Sequence, residues 1–347
     1  MRTAKHKVPT MTDVARLAKV GTMTVSRVLN HSAHVHPETA KRVHWAMEVL
    51  QYRPNQAARA LRGSKSHTIG VLVPSLADPF FATCAHSINS VAQAKGYSMI
   101  LTTSNGDPEV EYAQAQWMLQ RNIEGLLLVP AQVQNTRLLD HRFDRIPIVA
   151  FDAGTDCKRF SSVTVENQEG AFRATQHMLG HGHTRIQFLG NNAELYTIRE
   201  RLEGYRRAMA AAGQPALAKL DCATQESVTH ELHSARQQGT LPTAFFCANN
   251  WITKFLMRAL FDLEIRVPDA AAVIGFDDFE MASLLQPPLT VVRQPIGAMA
   301  SLAAAMLFEN LQLRPQERPQ KGVRKVLPVE LVLRTSCGCK PGAPHRS

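Results

Sequence analysis

The 347-residue sequence predicts a small all-α helix-turn-helix head joined to an α/β core of two lobes with parallel sheets. Three observations predict it. Charge is split: residues 1–66 carry 12 Lys and Arg against three acids (Asp13, Glu38, Glu48), a net +9, which leaves +1 of the total +10 for the rest. In the head, apolar residues recur at helical spacing, interrupted by turns. Beyond residue 67, apolar runs of strand length alternate with helical stretches, as in a parallel sheet, and the pattern restarts midway. A basic head on a neutral body points to a polyanion partner for the head.

Thr10 and Asp13 have the spacing of a capping box, a hydroxyl N-cap with an acid three residues on. They predict a helix over 12–19 with Val14, Leu17 and Ala18 inward. Gly21-Thr22 breaks the chain and recaps a second helix over 22–30, burying Val25, Val28 and Leu29. Thr22, Met23, Ser26, Arg27 and Asn30 then face outward. His36-Pro37 opens a third helix, proline suiting the first helical position, with a stripe of Val43, Met47 and Leu50. Short outward side chains permit close approach to a duplex, and Arg27 can bond guanine through O6 and N7. A solvated face of a three-helix bundle would account for the charge alone. It would not call for the cap, the turn and the outward polar row together. Pro54 stops the third helix, and Asn55 caps a short run, Ala57 to Leu61, ended by Gly63. So short a helix needs a partner to fold against.

In the body, strands are predicted at 68–74, 97–102, 123–130 and 146–151, with helices from Asp78 past Val91 and over 109–120. The restart has helices at 169–179, 202–212 and 252–263 and strands at 186–189, 244–247 and 272–276. Continuous apolar runs such as Ile69–Val73 suit strands buried on both faces. Ligands bind such sheets beyond the carboxyl ends of their strands. Those ends carry Pro74-Ser75, Asp152, Asn249-Asn250 and Asp277-Asp278, carboxylates and amides that suit a polyhydroxylated ligand.

Several classes are excluded. No apolar run approaches the ~18 residues of a membrane helix, and the basic start lacks a signal peptide's apolar core, so no membrane partner and a cytoplasmic location are expected. No G-x-x-x-x-G-K-[ST] loop and no G-x-S-x-G elbow occurs, and Gly180-His181-Gly182 lacks a dinucleotide fingerprint's third glycine. No enzyme and no cofactor are expected. The six cysteines are scattered; Cys337-Gly338-Cys339 reads as half of a metal or redox site without a second ligand pair at zinc spacing, so no metal is expected. His31, His34 and His36 lack a carboxylate or cysteine partner and read as polar residues facing DNA.

Thr12-Asp13-Val14-Ala15, Thr24 to Asn30, Tyr52-Arg53-Pro54-Asn55 and Ala58 to Leu61 together resemble the N-terminus of the LacI family of bacterial repressors. The resemblance continues through Arg201-Leu202-Glu203-Gly204-Tyr205 and Ile274-Gly275-Phe276-Asp277 into a core similar to periplasmic sugar-binding proteins. It implies a head (1–51), a hinge helix and linker (52–66) and a core (67–340). The first lobe would span about 67–165 and 295–325, the second about 166–293 and 326–340. It implies that Thr22, Met23 and Arg27 read bases and that Thr10, Ser26, Asn30, His34 and Thr39 hold phosphates. Asn55, Ala58, Leu61 and Arg62 would enter the minor groove, with Leu61 as the wedge. Lys19 stands where the family commonly has glycine, which puts strain at Lys19 or shifts the tight turn to Gly21.

The effector contacts implied are Phe80, Phe81, Asp152, Arg201, Asn249 and Asp277, with Trp251 as a stacking face and Arg199 as added positive charge. The function implied is a regulator, foremost a repressor, that binds pseudo-palindromic operator DNA as a homodimer. A sugar or sugar acid between the lobes would control it; a purine-type corepressor or an activator role are the alternatives. Only eight residues follow Cys339, too few for a tetramer-forming heptad tail, so a dimer is expected.

Overall fold

The computed structural model describes residues 9–29, 35–52, 66–134, 137–319 and 321–340. It divides into two compact units, 1–66 and 67–347.

In the head, α1 (Met11–Leu17), α2 (Thr22–Leu29) and α3 (Pro37–Val49) close on Val14, Ala15, Ala18, Val25, Val28, Val43 and Ala46. Leu17, Leu29, Met47 and Leu50 pack only partly buried around that centre. The Asp13 carboxylate accepts from the Thr10 backbone N–H at 2.9 Å and from its hydroxyl at 2.6 Å, which fixes the start of α1. The helix stops two residues short of the predicted end because Lys19 turns out of it with φ +51°. Gly21 keeps an ordinary φ and instead offers its carbonyl to the N–H groups of Thr24 and Val25, opening α2. The tight position of the turn is therefore Lys19. The helix expected over 55–61 lies outside the described residues, as do Asn30, His34, Asn55, Ala58, Leu61 and Arg62.

The body holds two six-stranded sheets. The first comprises β1 (Thr68–Val73), β2 (Ser98–Thr103), β3 (Gly125–Leu128), β4 (Ile148–Phe151), β5 (Ser161–Val165) and β11 (Arg324–Leu327), in the order β11-β5-β4-β3-β1-β2. All its pairs are parallel. Helices α4 (Pro79–Ala94), α5 (Pro108–Leu119) and α10 (Ile296–Gln312) cover it. The second comprises β6 (Ile186–Leu189), β7 (Leu217–Lys219), β8 (Ala244–Cys247), β9 (Ala272–Phe276), β10 (Thr290–Arg293) and β12 (Glu330–Val332), in the order β12-β10-β9-β8-β6-β7. Only β12 on β10 is antiparallel. With it go α6 (Asn167–Gly180), α7 (Tyr196–Ala211), α8 (Gln225–Gln237) and α9 (Asn250–Asp262).

Each lobe is assembled from separate stretches of chain. The backbone crosses after β5, again at Gln294-Pro295 between β10 and α10, and again between β11 and β12. This last crossing falls at Pro328-Val329, just beyond the boundary at 326, because β11 stays paired with β5 through Leu327.

A non-glycine residue in the left-handed region costs roughly 1–2 kcal/mol. Lys19→Gly should therefore stabilise the head by about 1 kcal/mol, read as slower hydrogen exchange of α1 and α2 amides in the full chain. Unchanged or faster exchange would place the strain elsewhere.

Candidate functional site

The outward row of α2 lies where the apolar spacing put it. With Val25 and Val28 buried, Thr22, Met23 (71 % exposed) and Arg27 are outside. Arg27 has no hydrogen-bond partner among the described residues, so its five donors are available to base edges. Ser26 is half-buried beside this row, and Thr39 half-buried in the first turn of α3. Thr10 is exposed, but Asp13 already takes both its N–H and its hydroxyl proton. A phosphate there would meet a carboxylate neighbour and have to compete for both donors.

In the body, a cavity of about 600 Å³ lies between the lobes. The first lobe contributes Asp78, Phe80, Phe81 and Asp152, the second Arg201, Asn249, Trp251 and Asp277. Asp152 follows β4 and Asp277 follows β9, both at carboxyl ends of strands and both with positive φ (+64° and +78°). Reversing the chain there turns each carboxylate into the cleft. Arg201 reaches it from the first turns of α7. That helix lies close against α6 because residue 204 is glycine: a Cβ would fall 2.0 Å from the Gln168 carbonyl oxygen.

Arg201 is 2 % exposed and held by two protein hydrogen bonds. Its Nε donates to Asn167 at 2.8 Å, and its Nη1 to the Ala248 carbonyl at 2.7 Å. Its plane stacks 3.6 Å from the Phe276 ring centre, and Asp277 lies 3.7 Å away. Gln294, on the crossing strand, donates to the other oxygen of Asp277. Burial pushes Asp152 up to about 7 against the pull of Arg201, with Asp277 and Asp78 adding to the rise. Burial likewise raises Asp277, opposed by Arg201 and Gln294.

The aromatic residues form one side. Phe80 and Phe81 meet edge to face at 5.0 Å, and Trp251 is 37 % exposed with the Lys254 ammonium 4.4 Å from its ring. Asn249 spends its side-chain oxygen on capping α9, accepting from the Ile252 N–H at 2.9 Å. Asn250 joins the lobes: its Nδ2 donates to Asp78 at 2.9 Å. Arg199 does not line the cavity; it is half-exposed beside Glu200 and Tyr196. Asn191 and Gln294, which sequence reasoning did not single out, do line it, and each has a buried side-chain oxygen without a hydrogen-bond partner. Asn191, just after β6, follows the same strand-end rule that marked Asp152; Gln294 carries no local signal.

A basic helix-turn-helix unit with an outward reading row, carried on a two-lobed α/β core with a polar interlobe cleft, defines a ligand-controlled DNA-binding transcriptional regulator. Comparison with known proteins agrees. Residues 10–55 match the model of bacterial regulatory proteins of the lacI family, and residues 175–337 that of the periplasmic binding protein-like domain. The HTH-type transcriptional repressor PurR of Aliivibrio fischeri (strain MJ11) is 31% identical over 316 residues, covering 89% of this chain and 94% of that protein. The ribose operon repressor of Escherichia coli (strain K12) is 32% identical over 311 residues, covering 87% and 93%. A solved structure of the lac repressor dimer bound to operator and the anti-inducer ONPF superposes with a TM-score of 0.84 at 27% identity, covering 95% of this chain and 99% of that one. The chain belongs to the LacI family: it is a DNA-binding transcriptional regulator and not an enzyme.

A carboxyl whose folded pKa of about 7 exceeds its ordinary 3.8 binds its proton more tightly in the folded state. Stability then falls as pH rises through that window. Without ligand, Asp152→Asn should be more stable than the parent at pH 8 and should lose the decline between about pH 4 and 7. Parallel stability–pH curves for the two proteins would mean that Asp152 titrates normally.

Proposed function

We propose that the effector is a neutral, polyhydroxylated molecule of sugar type, and that its seat between the lobes sets the affinity of a homodimer for a pseudo-palindromic operator. The observation that carries this reading is a surplus of acceptors. Asp152 and Asp277 line the cavity with Asn191 and Gln294, against a single cation among the described lining residues, Arg201, whose Nε and Nη1 already donate to protein groups. A ligand rich in O–H donors satisfies such a wall, and the Phe80–Phe81 pair and Trp251 offer apolar faces to a ring. A sugar acid fits less well, since its carboxylate would meet two aspartates and Arg199 stands outside the cavity. A purine is the second reading, favoured by the same aromatic residues and by its N–H donors. A ligand that binds one lobe arrangement better shifts the population by that difference. As a DNA-binding regulator it would act in the cytoplasm.

The homodimer reading has its own support. A depression of about 1260 Å³ runs beside α4 and α9, and Phe261 (75 %), Met281 (55 %) and Leu284 (69 %) are exposed. Apolar patches of this kind mark contact surfaces. A two-fold dimer presents two reading helices to the two half-sites of a palindrome.

Two measurements test these readings. Thermal shift and calorimetry with neutral pentoses and hexoses, their acids, and purines should give saturable stabilisation by a neutral sugar, lost in Asp277→Asn and Asp152→Ala. Stabilisation by purines or sugar acids alone would reject the neutral-sugar reading. On DNA, Arg27→Ala should cost ~1–3 kcal/mol on the selected operator and relax choice at one base pair. Selection from random duplexes that returns the parent's site would refute its base-reading role.

A further inference from the structure

Sequence spacing leaves Cys337 and Cys339 without a second ligand pair, but the fold supplies one. His177 in the last turn of α6 and His181 just past its end are four residues apart, hence on one side of the helix. The segment after β12 returns to this helix end. The Nε2 of His177 is 3.3 Å from the sulfur of Cys337 and 3.3 Å from that of Cys339, and the Nε2 of His181 is 3.3 Å from Cys339. The four ligand atoms all lie within 4.8 Å of one another. Zinc bonds of about 2.3 Å to sulfur and 2.0–2.1 Å to nitrogen give a tetrahedron with edges of roughly 3.3–3.8 Å. We propose that His177, His181, Cys337 and Cys339 form a structural zinc site that clasps the C-terminal segment to α6 of the second lobe.

The surroundings are built for it. Gly338, between the cysteines, has φ +92°. This left-handed turn, closed by its N–H on the Thr335 carbonyl at 3.1 Å, brings both sulfurs to the imidazoles. The Thr290 hydroxyl lies 3.1 Å from the Cys337 sulfur while its own oxygen accepts from the Arg334 N–H. Its proton is thus directed at the sulfur, the outer-shell bond that holds a metal-bound thiolate. Two sulfurs and two imidazoles in tetrahedral array select zinc over the oxygen-seeking magnesium or calcium. All four ligands make a closed, structural site with no open position for catalysis. The site lies on the second lobe away from the effector cavity, with which it shares no residue.

The test uses the full chain without a polyhistidine tag, purified without chelator under reducing conditions. Elemental analysis should find about one zinc per chain, and cobalt exchanged into the site should show the intense visible bands of a tetrahedral thiolate complex. Chelation should lower the melting temperature and expose two further thiols to titration. His181 is exposed and Cys339 half-buried, so His181→Ala and Cys339→Ala leave the core intact; each should lose the zinc and the cobalt spectrum. Less than about one zinc per ten chains after zinc loading, or equal retention by the parent and both variants, would overturn the proposal. So would a Cys337–Cys339 disulfide that persists under reducing conditions.

Discussion

The cleft depends on one buried ion pair. Arg201 and Asp277 come from helix α7 and from the end of β9, and neither reaches water. Such a pair is tolerable only when its remaining donors and acceptors are filled. Here Asn167 and the Ala248 carbonyl accept from the guanidinium, Gln294 donates to Asp277, and the Phe276 ring covers the guanidinium face. Those four groups come from α6, the end of β8, a crossing strand and β9, so holding this one pair fixes the second lobe's contribution to the cavity. Burial raises the neighbouring Asp152 carboxyl even against the pull of Arg201, and Asp277 and Asp78 add to the rise.

The same arrangement explains how occupancy of the cavity reaches the relative setting of the lobes. Gln294 touches Asp277 and lies on a crossing strand, and Asn250 binds Asp78 across the gap. An acid at 250 would set a second carboxylate against Asp78. Asparagine turns that repulsion into a hydrogen bond. Gln294 and Asn250 thus tie groups that line or border the cavity to the crossing strand and to the opposite lobe.

Much of this was legible in the sequence, for identifiable reasons. The continuous apolar strands β1, β3, β8 and β9 announced themselves because both faces are covered. β5 did not: Ser-Ser-Val-Thr-Val is wholly buried yet three of its five residues are polar, and one of its partners, β11, is distant in sequence. Helix α10 escaped notice because Ile296 to Leu307 is apolar almost all round, and no stripe marks a helix buried on most sides. Asp152 and Asp277 could be chosen because strand ends point into clefts. Arg199 was chosen on charge and proximity to Arg201, but a helix turns about 100° per residue, and two steps carry a side chain to another face. Lys19 was flagged as a departure from the family pattern, and the backbone places the strain there. The histidine–cysteine cluster was invisible because its halves lie some 160 residues apart.

The repeated crossing of the backbone bears on how the protein is born. The first sheet cannot be completed until β11 is made, and the second waits for β12, so the two sheets close only once residues 327 and 332 respectively have left the ribosome. The head is complete some 260 residues earlier, which at ~5–20 residues per second is roughly 13–50 seconds. Throughout that interval a nascent +9 module trails its own unfinished control domain. Such a head meets DNA with the salt-sensitive grip of its charges. Discontinuous lobes thus impose an order in time: the DNA-binding head is assembled before the domain that controls it.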